Sequence, residues 1–272
     1  MSEMTKTLAF VVETAREAGR LVRGAAGRFS VSRKRNNDDR LDVVTGTDFA
    51  AENLIVERLR GRFPDYDVFT EETAHTIASE WFWAVDPIDG TKNFVSGLPY
   101  VSISIALLRG GVPQLGVIHS VFTDETFAAR RGGGATCLTR RADATCNGEP
   151  IAVSETARLE DSMMVLEGVQ IHLRERRYVR TLHLGTRAVR NLGSAALNIA
   201  YMARGYLDGY IDEDLKYYDF AAGAVILEEA GGRLTHCDGS PMWPRMPDYG
   251  DIDVLATNGR IHDALVEVAS QG

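Results

Sequence analysis

Cysteine is scarce: Cys137, Cys146 and Cys237 are three in 272 residues, an odd number without metal-type spacing. That argues against a disulfide scaffold and a cysteine-built zinc site, and reduced thiols point to a cytoplasmic protein. Long apolar runs are missing too. Nothing approaches the roughly 18 consecutive apolar residues of a membrane-spanning helix, and the first residues lack the basic-apolar-small order of a secretory leader. Positive charge is in deficit, with 30 Lys and Arg against 38 Asp and Glu and a net charge of -8. Neither nucleic acid nor an anionic membrane is an expected partner on that balance. A phosphorylated small molecule stays open, because bound metal ions can reverse the field of an acidic site. The six histidines have no paired spacing, and Gly132-Gly133-Gly134 neither precedes Lys-Ser/Thr nor opens a helix. A histidine metal site and a phosphate loop are therefore not expected. No internal repeat and no linker of disordered composition is visible.

With 44% hydrophobic and 25% charged residues, the composition is that of a globular protein with ample core. Apolar periodicity predicts an amphipathic helix from about Thr5 to Ala26, with Ala9, Val12, Ala15, Ala18, Leu21 and Val22 on one face. Ser30 to Asp42 is polar and charged, either a surface loop or a flap over a site. Thr45-Gly46-Thr47-Asp48 then opens a second helix, striped by Ala50, Leu54, Val56, Leu59 and Phe63 and ended by Pro64. Short strands come next at Val68-Phe69 and Trp81 to Val85. Three more lie between Val101 and Ala129. The second half alternates. Strands are predicted at Ser162 to Leu166, Ala188 to Asn191, Leu207 to Ile211 and Asp253 to Ala256. Helices are predicted over Ile171 to Leu184, from Gly193-Ser194 through Ala203, from Asp219 through Ala230, and at the end. The fold class is α/β, with residues 1–272 expected to form one unit: a first half over 1–150 and an α/β half over 151–272.

The strongest chemical signal is Trp83-Ala84-Val85-Asp86-Pro87-Ile88-Asp89-Gly90-Thr91-Lys92-Asn93-Phe94. A strand-like apolar run stops at two aspartates around a proline, and Gly-Thr comes directly after. In a low dielectric, carboxylates crowded by a tight turn repel each other by on the order of several kcal/mol. They persist there only if protonated, paired with cations or bound to a metal. Oxygen donors on a rigid turn suit a hard divalent cation such as Mg²⁺. Asp48, Glu71 and Asp219 also fall at element ends, where α/β proteins gather their sites. Taken singly, Asp48 and Asp219 read as ordinary first-turn or N-cap acids, and Glu71-Glu72 as a solvated edge.

In these stretches the chain resembles the inositol monophosphatase family, whose signature is Asp-Pro-Ile/Leu-Asp-Gly-Thr-x-Asn-Phe. Phe69-Thr70-Glu71-Glu72, Val44-Thr45-Gly46-Thr47-Asp48, Gly193-Ser194-Ala195-Ala196-Leu197, Tyr218-Asp219-Phe220-Ala221-Ala222-Gly223 and Glu229-Ala230-Gly231-Gly232 match further family motifs in order. Thr70 replaces a glycine, and Tyr218 a tryptophan; Asp212 stands where the family's polyol-binding acid is usually Glu.

The resemblance implies a layered α-β-α-β-α sandwich, shared with fructose-1,6-bisphosphatase, and a homodimer. It implies two to three Mg²⁺ ions per site. Glu71, Asp86 and the carbonyl of Ile88 would hold one ion, Asp86, Asp89 and Asp219 a second, and a weaker third would lie near Glu71. Asp48, Thr91 and Glu71 are the implied catalytic residues, Thr91 and Asp48 forming the dyad that orients and deprotonates the attacking water. The amides of Gly90 and Thr91 would receive the phosphate, and Asp89, Gly193, Ser194, Ala195 and Asp212 would complete the substrate contacts. The reaction implied is hydrolysis of a small polyol or sugar phosphate, without a phosphoenzyme and sensitive to Li⁺. Histidinol phosphate and fructose 1,6-bisphosphate are alternative substrates. A nucleotide 3′-phosphatase is disfavoured by Asn93-Phe94, where such relatives carry Glu-Phe. From another class comes a regulatory partner of the transcription machinery. The arginines 174, 176, 177, 180, 187 and 190 read as a solvated face or a dimer edge, or as a way for Arg187 or Arg190 to approach an anionic substrate.

Overall fold

The computed structural model describes residues 2–28, 31–33, 43–73, 77–132, 145–146, 148–167, 177–244 and 251–271. The chain starts with helix α1 (Glu3–Ala25), strands β1 (Val31–Arg33) and β2 (Val43–Thr45), and helix α2 (Gly46–Arg62). Then come β3 (Asp67–Thr70), β4 (Trp81–Asp89), α3 (Thr91–Ser96), β5 (Ser102–Arg109), β6 (Val112–Ser120), β7 (Glu125–Arg130), β8 (Thr145–Cys146) and β9 (Glu149–Pro150). The second half has β10 (Met163–Leu166), α4 (Arg177–Gly185), β11 (Ala188–Arg190), α5 (Ala195–Ala203), β12 (Gly209–Leu215), α6 (Tyr217–Glu229), β13 (Arg233–Thr235), β14 (Ile252–Thr257) and α7 (His262–Ala269).

A seven-stranded sheet runs in the order β3-β4-β5-β6-β7-β8-β9 and a five-stranded one in the order β11-β10-β12-β14-β13. Helices α1 and α2 cover the outer face of the larger sheet, α5 and α6 lie between the sheets, and α4 with α7 cover the far face of the smaller one. The architecture is thus α-β-α-β-α. Three apolar clusters fill the layers, and strand parity sorts residues among them: Trp83 and Val85 join the outer cluster, while Phe82 and Ala84 face α5 and α6. Burial on both faces explains why β4 and β5 read as near-continuous apolar runs.

Several elements differ from their sequence reading. The buried stripe of α1 is Leu8, Val11, Ala15, Ala18 and Val22, and Ala9 is exposed. In α2 the buried apolar residues are Ala51, Ile55 and Leu59, with Leu54, Val56 and Phe63 partly packed and Ala50 exposed. In both helices the buried face is set by what the sheet presents, which sequence periodicity fixes only to within about a residue. Val31–Arg33, expected in a loop, pairs antiparallel with Val43–Thr45. Ser30 and residues 34–42 lie outside the described residues, as do Gly133, Gly134, Cys137, His75, His172, Arg174 and Arg176. Helix α6 starts two residues before Asp219.

Candidate active site

Strand β4 does not stop at Asp86; it continues to Asp89 with a register shift between the two aspartates. Asp86 pairs with Ser104, and Asp89 with Ser102, so β4 spends one residue more than β5 over this stretch. That extra residue is a bulge, and it reverses the parity of the residues beyond it. Asp86 keeps the inward parity of Phe82 and Ala84, Ile88 turns out to the cluster under α1 and α2, and Asp89 turns in beside Ser102. Pro87 is tolerated because the bulge asks no ladder donor of it. The N–H of Ile88 donates to Asp86 Oδ1 at 2.9 Å, closing the turn around the proline.

The other acids arrive from three directions. Glu71 follows the end of β3, which pairs parallel with β4. Asp219 is the third residue of α6 and accepts the N–H of Lys216 at 2.6 Å. Asp48 occupies the same position in α2, completing a capping box in which the N–H of Thr45 donates to its Oδ2 at 2.9 Å. Cap and site are compatible roles, since Asp48 Oδ1 lies 3.1 Å from the Thr91 hydroxyl. That hydroxyl also lies 2.9 Å from the carbonyl oxygen of Ile88.

Burial drives Asp86 well above the usual carboxylate range; the charges of Glu71, Asp89 and Asp219 push the same way, and the Glu71 and Asp86 carboxyls meet within hydrogen-bond reach. Asp219 is raised by burial and by Glu71, against the pull of the Lys216 N–H. Burial pushes Asp89 up to about 6, opposed by hydrogen bonds from Ser194 and Ser102. The strongest charges acting on Asp86, Asp89 and Asp219 are those of other acids, and the Lys216 ammonium lies 2.8 Å from Asp251. Among the described residues no three acidic, His or Cys side chains are arranged closely enough to hold a metal ion as they stand. The donor chemistry nevertheless suits a hard divalent cation: all-oxygen ligands and acids that raise one another's pKa.

The opposite wall is built from α5 and β12. Asp89 Oδ1 accepts the N–H of Ala195 at 3.1 Å, and Oδ2 accepts the N–H of Ala196 at 3.0 Å, the Ser102 hydroxyl at 2.9 Å and the Ser194 hydroxyl. Ser194 therefore faces Asp89. Gly193, expected to touch the alcohol portion, has φ +77° and an Asn93 side chain only 3.1 Å from where its Cβ would stand. Gly90, at φ +93°, would place a Cβ 2.9 Å from the Tyr100 carbonyl oxygen. Both positions need glycine for conformation and for space. Asp212 is buried and accepts the Tyr210 hydroxyl at 2.7 Å; burial pushes it up to about 7, opposed by that bond and aided by the charge of Glu167. Tyr218 packs its ring on Phe69, with centroids 5.5 Å apart.

Two supporting acids escaped the sequence reading. Glu52, on α2, accepts the N–H of Glu72 at 3.2 Å and the Thr73 hydroxyl. Glu167 holds Leu192, Gly193 and Asn198. Neither sits in a recognisable motif, and isolated acids carry no local signal. His119 and His262 are core histidines, hydrogen-bonded to threonines. Arg177, Arg180, Arg187 and Arg190 are exposed.

A profile of the inositol monophosphatase family matches residues 3–272. The fructose-1,6-bisphosphatase/inositol-1-monophosphatase of Thermotoga maritima is 36% identical over 270 residues, covering 97% of this chain and 96% of that protein. The inositol-1-monophosphatase of Synechocystis sp. is 37% identical over 82% of this chain and 75% of its own length. Nus factor SuhB of Xylella fastidiosa is 34% identical over 84% of this chain and 82% of its own. Among solved structures, the inositol monophosphatase of Anabaena superposes with a TM-score of 0.83 at 33% identity, covering 99% of this chain and 97% of that one. For the Thermotoga maritima enzyme the TM-score is 0.85 at 34% identity, covering 98% and 97%. The two stacked sheets and the similarity to these enzymes along the chain define a phosphatase, a hydrolase of phosphate monoesters. The chain belongs to the inositol monophosphatase family.

Proposed function

We propose that the protein hydrolyses the phosphate monoester of a small polyol or sugar, inositol 1-phosphate in kind, with two to three Mg²⁺ ions per site. The observation that carries this reading is the convergence of four acids, Glu71 after β3, Asp86 and Asp89 on β4 and Asp219 at the start of α6, with Asp86 and Asp219 raised by burial and by the charges of Glu71 and Asp89. Glu71, Asp86 and the Ile88 carbonyl would hold one ion, and Asp86, Asp89 and Asp219 another. When bound, the ions supply positive charge for the phosphoryl oxygens and lower the pKa of the attacking water. Asp48 and Thr91 then orient that water and take its proton, with the Thr91 hydroxyl 3.1 Å from Asp48 Oδ1. The amides of Gly90 and Thr91 receive the phosphate, while Gly193, Ser194, Ala195 and Asp212 line the alcohol side, with Ser194 and Ala195 also bound to Asp89. Acids from both halves of the chain are needed, so residues 1–272 work as one unit. We place the enzyme in the cytoplasm as a homodimer. No helix among the described residues is long and apolar enough to cross a membrane.

A second reading, fructose 1,6-bisphosphate as substrate, is favoured by the double name of the Thermotoga maritima relative. A partnership with the transcription machinery, suggested by relatives named Nus factor, fits the acidic balance less well. A panel of phosphate esters assayed for phosphate release with Mg²⁺ tests the proposal. Inositol 1-phosphate is expected to turn over faster than histidinol phosphate or fructose 1,6-bisphosphate. An Asp89→Asn protein as active as the wild type on every ester would end the metal-assisted phosphatase mechanism.

A further inference from the structure

Glu167 directly follows β10, is 8% exposed, and has no part in the reaction proposed above. Its Oε1 accepts three N–H groups: the backbone amides of Leu192 at 2.8 Å and Gly193 at 2.7 Å, and the Asn198 side-chain amide at 2.8 Å. These charge-assisted bonds replace the water that burial removes. The same short stretch is gripped from the other sheet, since Asp89 takes the amides of Ala195 and Ala196 and the Ser194 hydroxyl. Two acids from two sheets therefore share the donors of residues 192–196.

The stretch does little to hold its own shape. Ser194 is the N-cap of α5 but makes no side-chain cap bond, because its hydroxyl goes to Asp89. Gly193 stands in the left-handed region, where the chain gains most freedom once released. Asn93 Nδ2 donates to the carbonyl oxygens of Leu192 at 2.8 Å and of Gly193 at 3.2 Å. Asn198 Oδ1 in turn accepts the Tyr100 hydroxyl at 2.9 Å. Without Glu167, two neighbouring backbone N–H groups lose their acceptor together.

The geometry points to Glu167 as a positioning residue: by holding the amides of Leu192 and Gly193, it sets where residues 194–196 meet Asp89 and shapes the wall facing the alcohol portion of the ester. This rests on the proposed alcohol-side role of Gly193 to Ala195 and deepens it. An ester whose alcohol carries hydroxyls along that wall depends on Glu167 more than an ester whose alcohol carries none.

The experiment compares wild type, Glu167→Ala and Glu167→Gln with Mg²⁺ on inositol 1-phosphate and on p-nitrophenyl phosphate. Backbone amide exchange across residues 190–198 is followed in the same proteins. In the alanine protein KM for inositol 1-phosphate is expected to rise about tenfold or more, the scale of lost outer-shell support. kcat/KM for p-nitrophenyl phosphate is expected to fall by much less. Glutamine, which keeps an acceptor oxygen, recovers most of the loss. The amides of Leu192 and Gly193 exchange faster without Glu167, while those of β6 do not change. Equal losses on both esters, or unchanged exchange at Leu192 and Gly193, would overturn the inference. Should the alanine protein not fold, Glu167→Asp keeps the charge but withdraws the oxygen by a methylene, and the same split is expected of it. If wild type hydrolyses neither ester, the proposed substrate class falls, and the exchange comparison still decides the tie.

Discussion

The buried acids of this molecule are held in two opposite ways. Glu52 and Glu167 accept hydrogen bonds from backbone and side-chain donors in neighbouring segments, three of them in the case of Glu167. Asp86 and Asp219 receive one backbone N–H each and lie within the field of Glu71 and Asp89. The residue type and the burial are alike; the supply of donors differs. An acid surrounded by donors is a tie between segments, and an acid surrounded by acids is a demand for external positive charge.

The largest effect expected from breaking this contrast is at Asp86. Asp86→Asn is expected to lower kcat/KM by about 10³-fold or more, because several kcal/mol of charge stabilisation depend on it. The same substitution should raise the melting temperature in chelator, since it removes a charge that neighbouring acids oppose. A chelated Asp86→Asn protein less stable than wild type would mean that this acid is a tie like the others.

A change of pH probes the same contrast more gently. Asp86, Asp89 and Asp219 are raised above their unfolded values, so the fold prefers their protonated forms. Their stabilising contribution is complete below the unfolded carboxylate pKa of about 4. It is lost as pH rises through the folded values, about 6 for Asp89, and Asp212 at about 7 extends the window. Melting temperature in chelator is therefore expected to fall between about pH 5 and about pH 8, and saturating Mg²⁺ to remove most of that slope. A profile equally flat with and without the metal would contradict it. The smallest effect is expected at Glu52. Glu52→Ala should cost about 1–3 kcal/mol by leaving donors unmet, and the loss in a denaturant titration should be the same with and without Mg²⁺. A loss seen only in the metal-free protein would blur the distinction.

Much of the fold is legible where signals are local. The capping box at Thr45 and Asp48 announces α2, and alternating elements announce the α/β class. The acids at the ends of β3 and β4 and at the start of α6 stand out in the same way. Sequence and structure part where tertiary packing sets the outcome. Apolar periodicity puts Ala9 and Ala50 on buried faces, yet the neighbouring positions Leu8 and Ala51 are the ones the sheet covers. Asp86 and Asp89 read as a turn beyond a strand, whereas the strand continues through them.

By itself the sequence determined the acids, the glycines at positions 90 and 193 that avoid side-chain clashes, and the proline between Asp86 and Asp89, because caps and turns act within a few residues. Only the tertiary structure decided which way those acids face. The bulge opposite Ser102 turns Asp89 inward and Ile88 outward. Glu167, far from Asp89 in the chain, comes to share one stretch of donors at the start of α5 with it. Strand pairing sets parity and charges act through space, so both depend on partners that no local window of sequence contains.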